Sequence, residues 1–370
     1  MRREDHRPLS RVVIVKMWAL GDVLIATPML AALRERFPEI RITWVVDESH
    51  GEILRGHPGI DDLEIIHSGR WRRSLRKGNL PGWLAESVRL RRMVARYRPD
   101  AVINCHPDKW WTVFLCPAPR RIAPYPSPTL PWSARFYTDP IATPVPAIHA
   151  TRQYLLATQA LGCPDGDLRL TIGETSDEAD FLTRFQQRQG IGSDEPVVIL
   201  APFTTAENKC WEPERFAELA DTLASRFPAQ FVMTLHPKDE PAARKIAARA
   251  NTPIRIAAGT TLRQYVALLR RASVVVSGDT SSLHIAAALG TPYVSLFGPT
   301  DPDLLAPLAP RERGGTVLTA PIPCRPCHST RCSNPTFREC LKAISVEEVA
   351  RAAGRYLSVS ARQELPVHVG

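Results

Sequence analysis

Asp279, Thr280 and His284 stand where an apolar run gives way to a helical one, within SVVVSGDTSSLHIAAALGTPYVSLFGPTDP, residues 273–302. A carboxylate, a hydroxyl and an imidazole at such a junction suit the binding of a polar, phosphorylated ligand. Ser273 to Val276 is a short β-branched run of the kind a sheet buries on both faces. Ser281 to Leu289 has helical character, and Gly290 and Pro292 stop it. Tyr293 to Phe297 is a second buried run, ending in the Gly298-Pro299-Thr300-Asp301-Pro302 turn. Strand, helix, strand at this spacing is one parallel βαβ unit, whose ligands sit beyond the carboxyl ends of the strands. The N–H groups of Ser281 and Ser282 at the helix start favour an anion, most simply a phosphate. A plain helix cap made by Asp279 and Thr280 accounts for the same residues and stays open.

Two other turns carry matching chemistry. Gly21-Asp22 follows the strand-like run Arg11 to Met17, and Thr204, Thr205 and Lys209 follow the run Val197 to Pro202. A carboxylate at one turn and a cationic phosphate cradle at the other suit group transfer from an activated donor. The carboxylate takes the acceptor's proton while cationic and backbone donors stabilise the departing diphosphate. Asp22 as an N-cap and Lys209 as a solvated loop lysine are the plainer alternatives.

Eight cysteines divide into scattered singles (Cys105, Cys116, Cys163, Cys210), read as small core residues, and a cluster of Cys324, Cys327, Cys332 and Cys340 around His328. Four thiols at this spacing are candidate ligands for a structural zinc, with free thiols or a redox pair as the other readings.

The elements that must position these groups alternate strand and helix along all 370 residues, a length that favours two domains. The expectation is an α/β protein of two doubly wound halves facing a cleft, with a linker near residues 168–176. Arg70-Trp71-Arg72-Arg73 is read as a basic loop, residues 81–97 as a basic helix, and the proline-rich residues 117–146, with Trp132 and Tyr137, as a long loop. Ser345 and Glu348 stand in capping-box register at the head of a final helix to Leu357.

The formal charge of +9 points to an anionic partner. Residues 70–98 hold ten Arg or Lys and a single acid, Glu86. The basic residues lie away from the cysteines and no interleaved aromatic platform is visible, which argues against nucleic acid. No run of eighteen apolar residues exists and the N-terminus lacks a secretory apolar segment, so a cytoplasmic location is expected.

Taken together, Val15-Lys16 with Gly21-Asp22, Thr204-Thr205-x3-Lys209-x-Trp211, Asp279-Thr280-x3-His284 and Phe297 to Pro302 resemble the glycosyltransferase family 9 heptosyltransferases. These enzymes add heptose from ADP-heptose to the inner core of lipopolysaccharide. The resemblance implies a GT-B fold: a Rossmann-like acceptor domain over 10–172, a Rossmann-like nucleotide-sugar domain over 176–343, and a helix over 344–358 packing back on the first. It implies an inverting, metal-independent reaction that needs no cofactor beyond the ADP-sugar substrate.

By resemblance Asp22 is the general base, with Gly21 beside it on the acceptor side, and Thr204, Thr205 and Lys209 contact the donor phosphates. Asp279 holds heptose hydroxyls, Thr280, Ser281, Ser282 and His284 lie near sugar and diphosphate, and Asp239 matches the acid that binds the ribose. Arg70 and Arg73 would meet the acids of a lipid A–Kdo or core acceptor at the inner membrane surface. Met17-Trp18-Ala19 replaces the Thr-Ser-Ser of heptosyltransferase I-like members, which also lack the cysteine cluster. Another nucleotide sugar or acceptor is the alternative within enzymes, and a non-catalytic sugar-nucleotide or nucleic-acid binder with a zinc-bound cluster the alternative outside them.

Overall fold

A computed structural model describes residues 9–106, 112, 117–125, 133–142, 147–308 and 314–363. Cys116 and Trp132 lie outside these residues. The chain divides into two compact units between Glu174 and Thr175.

The first unit holds a six-stranded sheet of β1 (Arg11–Val15), β2 (Arg41–Asp47), β3 (Asp62–Ile66), β4 (Ala101–Asn104), β5 (Arg120–Tyr125) and β6 (Asp139–Ala142). Its order is β3-β2-β1-β4-β5-β6, and each described pairing is parallel. The second unit repeats this order with β7 (Val197–Ala201), β8 (Gln230–Leu235), β9 (Ile254–Ala258), β10 (Val274–Gly278), β11 (Tyr293–Leu296) and β12 (Gly315–Leu318), arranged β12-β11-β10-β7-β8-β9. Both sheets are doubly wound, so each has a switch point, at β1/β4 and at β7/β10, where successive connections leave toward opposite edges. The central strands are mostly apolar because helices cover both faces; β4, β7 and β10 are buried along their whole length.

Two sequence expectations need correction. The proline-rich residues 117–146 contain β5 and β6. Pro124 pairs with Ile141 of β6 beyond the end of the β4 ladder, so its missing N–H costs β4 nothing. The run Arg70 to Arg73 is helical, part of Ser68–Arg76. The Asp47 carboxylate accepts from the Ser68 N–H at 3.0 Å, satisfying an otherwise orphaned donor at the helix start. Trp71 turns inward, stacks on Trp83 at 6.4 Å and donates to Ser87 Oγ at 3.2 Å.

The final helix, Val346–Gln363, packs within the second unit on helix Arg215–Ala224 and on β10 and β11. Its start is the expected capping box: Ser345 Oγ accepts from the Glu348 N–H, and Glu348 Oε2 accepts from the Ser345 N–H at 2.8 Å. Among the scattered cysteines, burial pushes Cys105 up to about 12 and Cys163 up to about 11, so both remain core thiols.

His57 gives the first unit a defined acid sensitivity. The Gly59 N–H donates to its Nδ1 at 3.0 Å, which leaves Nε2 to donate to Thr171 Oγ1 at 2.8 Å. That arrangement needs the neutral ring, and burial lowers its pKa from 6.5 to about 4. Above pH 6.5 the ring is neutral whether the chain is folded or unfolded, and its contribution is whole. Between about pH 6.5 and pH 4 the unfolded chain binds the proton first, which removes up to about 3 kcal/mol of stability. Urea unfolding at pH 7.0 and pH 4.5 should show this loss, and His57→Gln should flatten it.

Candidate active site

The second unit's switch point draws in residues from three loops. After β7 the chain makes a tight turn in which Thr204 Oγ1 donates to Ala206 O at 2.5 Å, followed by the 3-10 turn Glu207–Lys209. This sends the Lys209 ammonium to Asp279 Oδ2, 2.5 Å away at the end of β10. Thr300 Oγ1, from the turn after β11, donates to the same oxygen at 2.8 Å. Gly278 makes the convergence possible: a Cβ there would stand 2.9 Å from Lys209 O and 3.4 Å from Thr204 Cγ2.

The two readings of Asp279 and Thr280 now separate. Thr280 is the N-cap of helix Ser281–Leu289, its hydroxyl accepting from the Ser282 N–H at 3.3 Å. Asp279 does not cap; its carboxylate serves Lys209 and Thr300. The expectation of two open N–H donors is corrected as well, since Thr280 takes that of Ser282. Tyr265 OH meets Ser282 Oγ at 2.6 Å, and His284 is buried two residues further along the helix. Thr205 is exposed beside Thr204. Asp239 ends the 3-10 turn Pro237–Asp239 after β8, the strand beside β7, and is half-buried.

The first unit's switch point is a smaller arrangement in which the lysine, not the carboxylate, is the buried partner. Lys16 follows β1 with a side chain only 3% exposed, and its ammonium lies 3.3 Å from Asp22 Oδ2 and 5.5 Å from the Tyr154 ring centroid. A buried ammonium needs a carboxylate, and Asp22 supplies it while remaining 47% exposed itself. The N-cap reading of Asp22 is corrected: Ala19 holds that position of helix Leu20–Ile25, with φ 63°, and Gly21-Asp22 lie inside the first turn. The Met17 N–H donates to His106 Nε2 at 2.8 Å, the Trp18 ring packs 4.7 Å from His106, and the Trp18 indole donates to Ser68 Oγ at 3.0 Å. These contacts hold the segment before Asp22 in its left-handed turn.

Lys16 and Thr300 stand in the quoted motifs but had no role assigned from sequence, and the structure gives each a carboxylate partner. His106 gave no sequence signal. Arg70 and Arg73 are exposed on their helix.

The four clustered cysteines are free thiols, exposed at Cys324 and Cys327 and buried at Cys340. Among the described residues no group of three His, Cys, Asp or Glu is arranged to hold a metal, so the zinc candidates do not form a ligand set. Burial pushes the Cys340 thiol up, and the neighbouring thiols of Cys324, Cys332 and Cys327 push the same way.

The family model for glycosyltransferase family 9 (heptosyltransferase) matches residues 88–337, more than half of the chain. The chain is 28% identical over 343 residues to lipopolysaccharide heptosyltransferase 1 of Pseudomonas aeruginosa, covering 91% of each. In fold it is similar to a family 9 glycosyl transferase from Veillonella parvula, with a TM-score of 0.78 at 22% identity over 95% of this chain and 97% of that one. It is also similar to the E. coli heptosyltransferase WaaC with ADP-2-deoxy-2-fluoro heptose, with a TM-score of 0.68 at 23% identity over 93% and 99%. Two doubly wound sheets of one order agree with the GT-B architecture of these structures. The chain belongs to glycosyltransferase family 9 and is a glycosyltransferase.

Proposed function

We propose that this enzyme transfers heptose from ADP-heptose to the inner core of lipopolysaccharide by a single inverting displacement. The observation that carries the reading is the convergence of Lys209, Asp279 and Thr300 at the β7/β10 switch point. The E. coli heptosyltransferase WaaC with ADP-2-deoxy-2-fluoro heptose, which has the same fold, supports the choice of donor.

In this scheme Lys209, Thr204, Thr205 and the Ser281 N–H face the diphosphate. Asp279, Thr280, Ser282 and His284 face the sugar, and Asp239 the ribose. An acceptor hydroxyl oxygen attacks the anomeric carbon, the bond from that carbon to the diphosphate oxygen breaks, and ADP leaves with the electron pair. Asp22 takes the hydroxyl proton, and Lys209 offsets the charge growing on the leaving group. Attack opposite the leaving group inverts the anomeric centre. A melting-temperature screen with ADP-, UDP-, GDP- and TDP-sugars should single out the ADP-sugar. Lys209→Ala should weaken ADP binding about tenfold or more by calorimetry, since it removes a charge-assisted contact. Stabilisation by a UDP- or TDP-sugar instead would replace the donor.

The acceptor reading places the enzyme at the cytoplasmic face of the inner membrane. No described helix is long and apolar enough to cross a membrane. Helix Leu80–Ala95 instead exposes Leu80 (63%), Leu84 (57%) and Val88 (39%) at successive fourth positions, a single stripe. Arg91 and Arg92 continue that face, and Arg70, Arg73, Arg76 and Lys77 precede it. An apolar stripe among arginines suits an anionic lipid surface, with Arg70 and Arg73 on the acids of a lipid A–Kdo or core acceptor. Leu84→Glu should reduce binding to vesicles containing anionic lipid several-fold while ADP affinity holds. Binding indifferent to 1 M salt would remove the arginines' role.

A further inference from the structure

The cysteine-bearing segment takes no part in the scheme above, yet it touches both loops that meet at Asp279. Arg325 Nε donates to Gly298 O at 2.8 Å and its Nη2 to Thr300 O at 3.2 Å. The N–H groups of Cys327 and His328 both donate to Pro299 O, at 3.0 and 2.8 Å. On the other side, Arg338 Nη1 donates to Cys210 O at 3.0 Å and Glu207 O at 3.3 Å, and Asn208 Nδ2 donates to Ser329 O at 2.7 Å. One face of the segment therefore grips the turn that carries Thr300. The other grips the loop that carries Lys209.

Those two loops end different strands, lie about ninety residues apart in sequence, and share one carboxylate oxygen. Carbonyls in the loops that follow β7 and β11 lie outside the sheet ladders, and here guanidinium and amide donors from a third segment bond to them. The segment is shaped for that task. Phe337 and Arg338 hold φ of 42° and 60°, and His328 holds 50°, conformations that cost energy for residues with a Cβ. The Arg338 N–H donates to Cys332 Sγ at 3.3 Å and Asn334 Nδ2 to Cys324 Sγ at 3.6 Å, so the thiols help hold the turn that aims Arg338. Leu341 packs against Gly298 so closely that a Cβ there would lie 2.8 Å from Leu341 Cγ.

We propose that Arg325 and Arg338 are positioning residues: they clamp the Lys209 loop and the Thr300 turn from outside and set the geometry in which Lys209 and Asp279 receive the donor diphosphate. The claim that this geometry serves a diphosphate rests on the function proposed above; the clamp does not.

Two measurements on Arg338→Ala, Arg325→Ala and their Lys counterparts test it. Amide hydrogen exchange should rise at residues 207–211 in Arg338→Ala and at 298–300 in Arg325→Ala, with the rest of the second unit unchanged. ADP affinity should fall at least fivefold, donor KM should rise in step with kcat held within about twofold, and the Lys variants should recover part of the loss. A merely structural role would lower the melting temperature and leave KM of the folded enzyme alone. If an Ala variant fails to fold, its Lys counterpart carries both readouts. Unchanged exchange overturns the clamp, and raised exchange with unchanged ADP affinity overturns its positioning role. Wild-type protein that binds no ADP defeats the donor reading while exchange still decides the clamp.

Discussion

Asp22→Asn should lose transfer activity by roughly two to four orders of magnitude, the range a positioned general base contributes. Asparagine keeps the size of the side chain and an oxygen that can face Lys16, so the turn after β1 should persist. What disappears is the basic carboxylate, on a side chain that is half-exposed while its lysine partner is buried. ADP affinity should stay within about twofold, because the groups assigned to the donor all belong to the second unit. Separate titration of ADP and measurement of kcat distinguish the two effects. A variant that transfers at the wild-type rate removes Asp22 from the chemistry. A fall in melting temperature would report instead the cost of leaving Lys16 buried without its partner, which the conservative replacement is chosen to limit.

Glu178→Ala should destabilise the fold by up to about 3–5 kcal/mol, the range for breaking a buried ion pair from one side. Glu178 lies on helix Asp177–Gln189 and is 9% exposed; its two carboxylate oxygens meet Arg263 Nη1 and Arg270 Nε, each at 3.3 Å, on helix Leu262–Arg271. Arg263 is itself 8% exposed, so removing Glu178 takes a carboxylate away from a buried guanidinium. Chemical denaturation should show the loss as a lower midpoint with the slope unchanged. Glu178→Gln, which keeps an oxygen able to accept from these guanidinium groups, should recover part of it. A single variant as stable as the wild type would mean that solvent reaches the pair.

The clearest part of this protein in its sequence was the set of strand ends. Apolar β-branched runs stop abruptly at Gly21-Asp22, at Thr204-Thr205 and at Gly278-Asp279-Thr280. Because parallel sheets gather ligands at those ends, the candidate residues could be named without coordinates. The capping box at Ser345 and the stop at Gly290, which takes φ 70°, were legible for the same reason: backbone chemistry at helix termini is local. Short or proline-bearing strands were not. β6 has four residues with Pro140 among them, and β12 has four beginning at Gly315, so neither carries a period long enough to detect. Their pairing partners, far away in the chain, are what make them strands.

Residue types and their order along the chain determined the two doubly wound sheets and the family's motifs, since alternation and turn chemistry are properties of neighbouring residues. Which partner each functional side chain has was decided only by tertiary structure. Asp279 was open to reading as a cap until Lys209 and Thr300 arrived from separate loops, and Asp22 was open to the same reading until Ala19 took the cap and Lys16 took the carboxylate. Pairing of this kind depends on distances between segments tens of residues apart, set by strand order and by the packing of the segments outside them, and no local pattern encodes it.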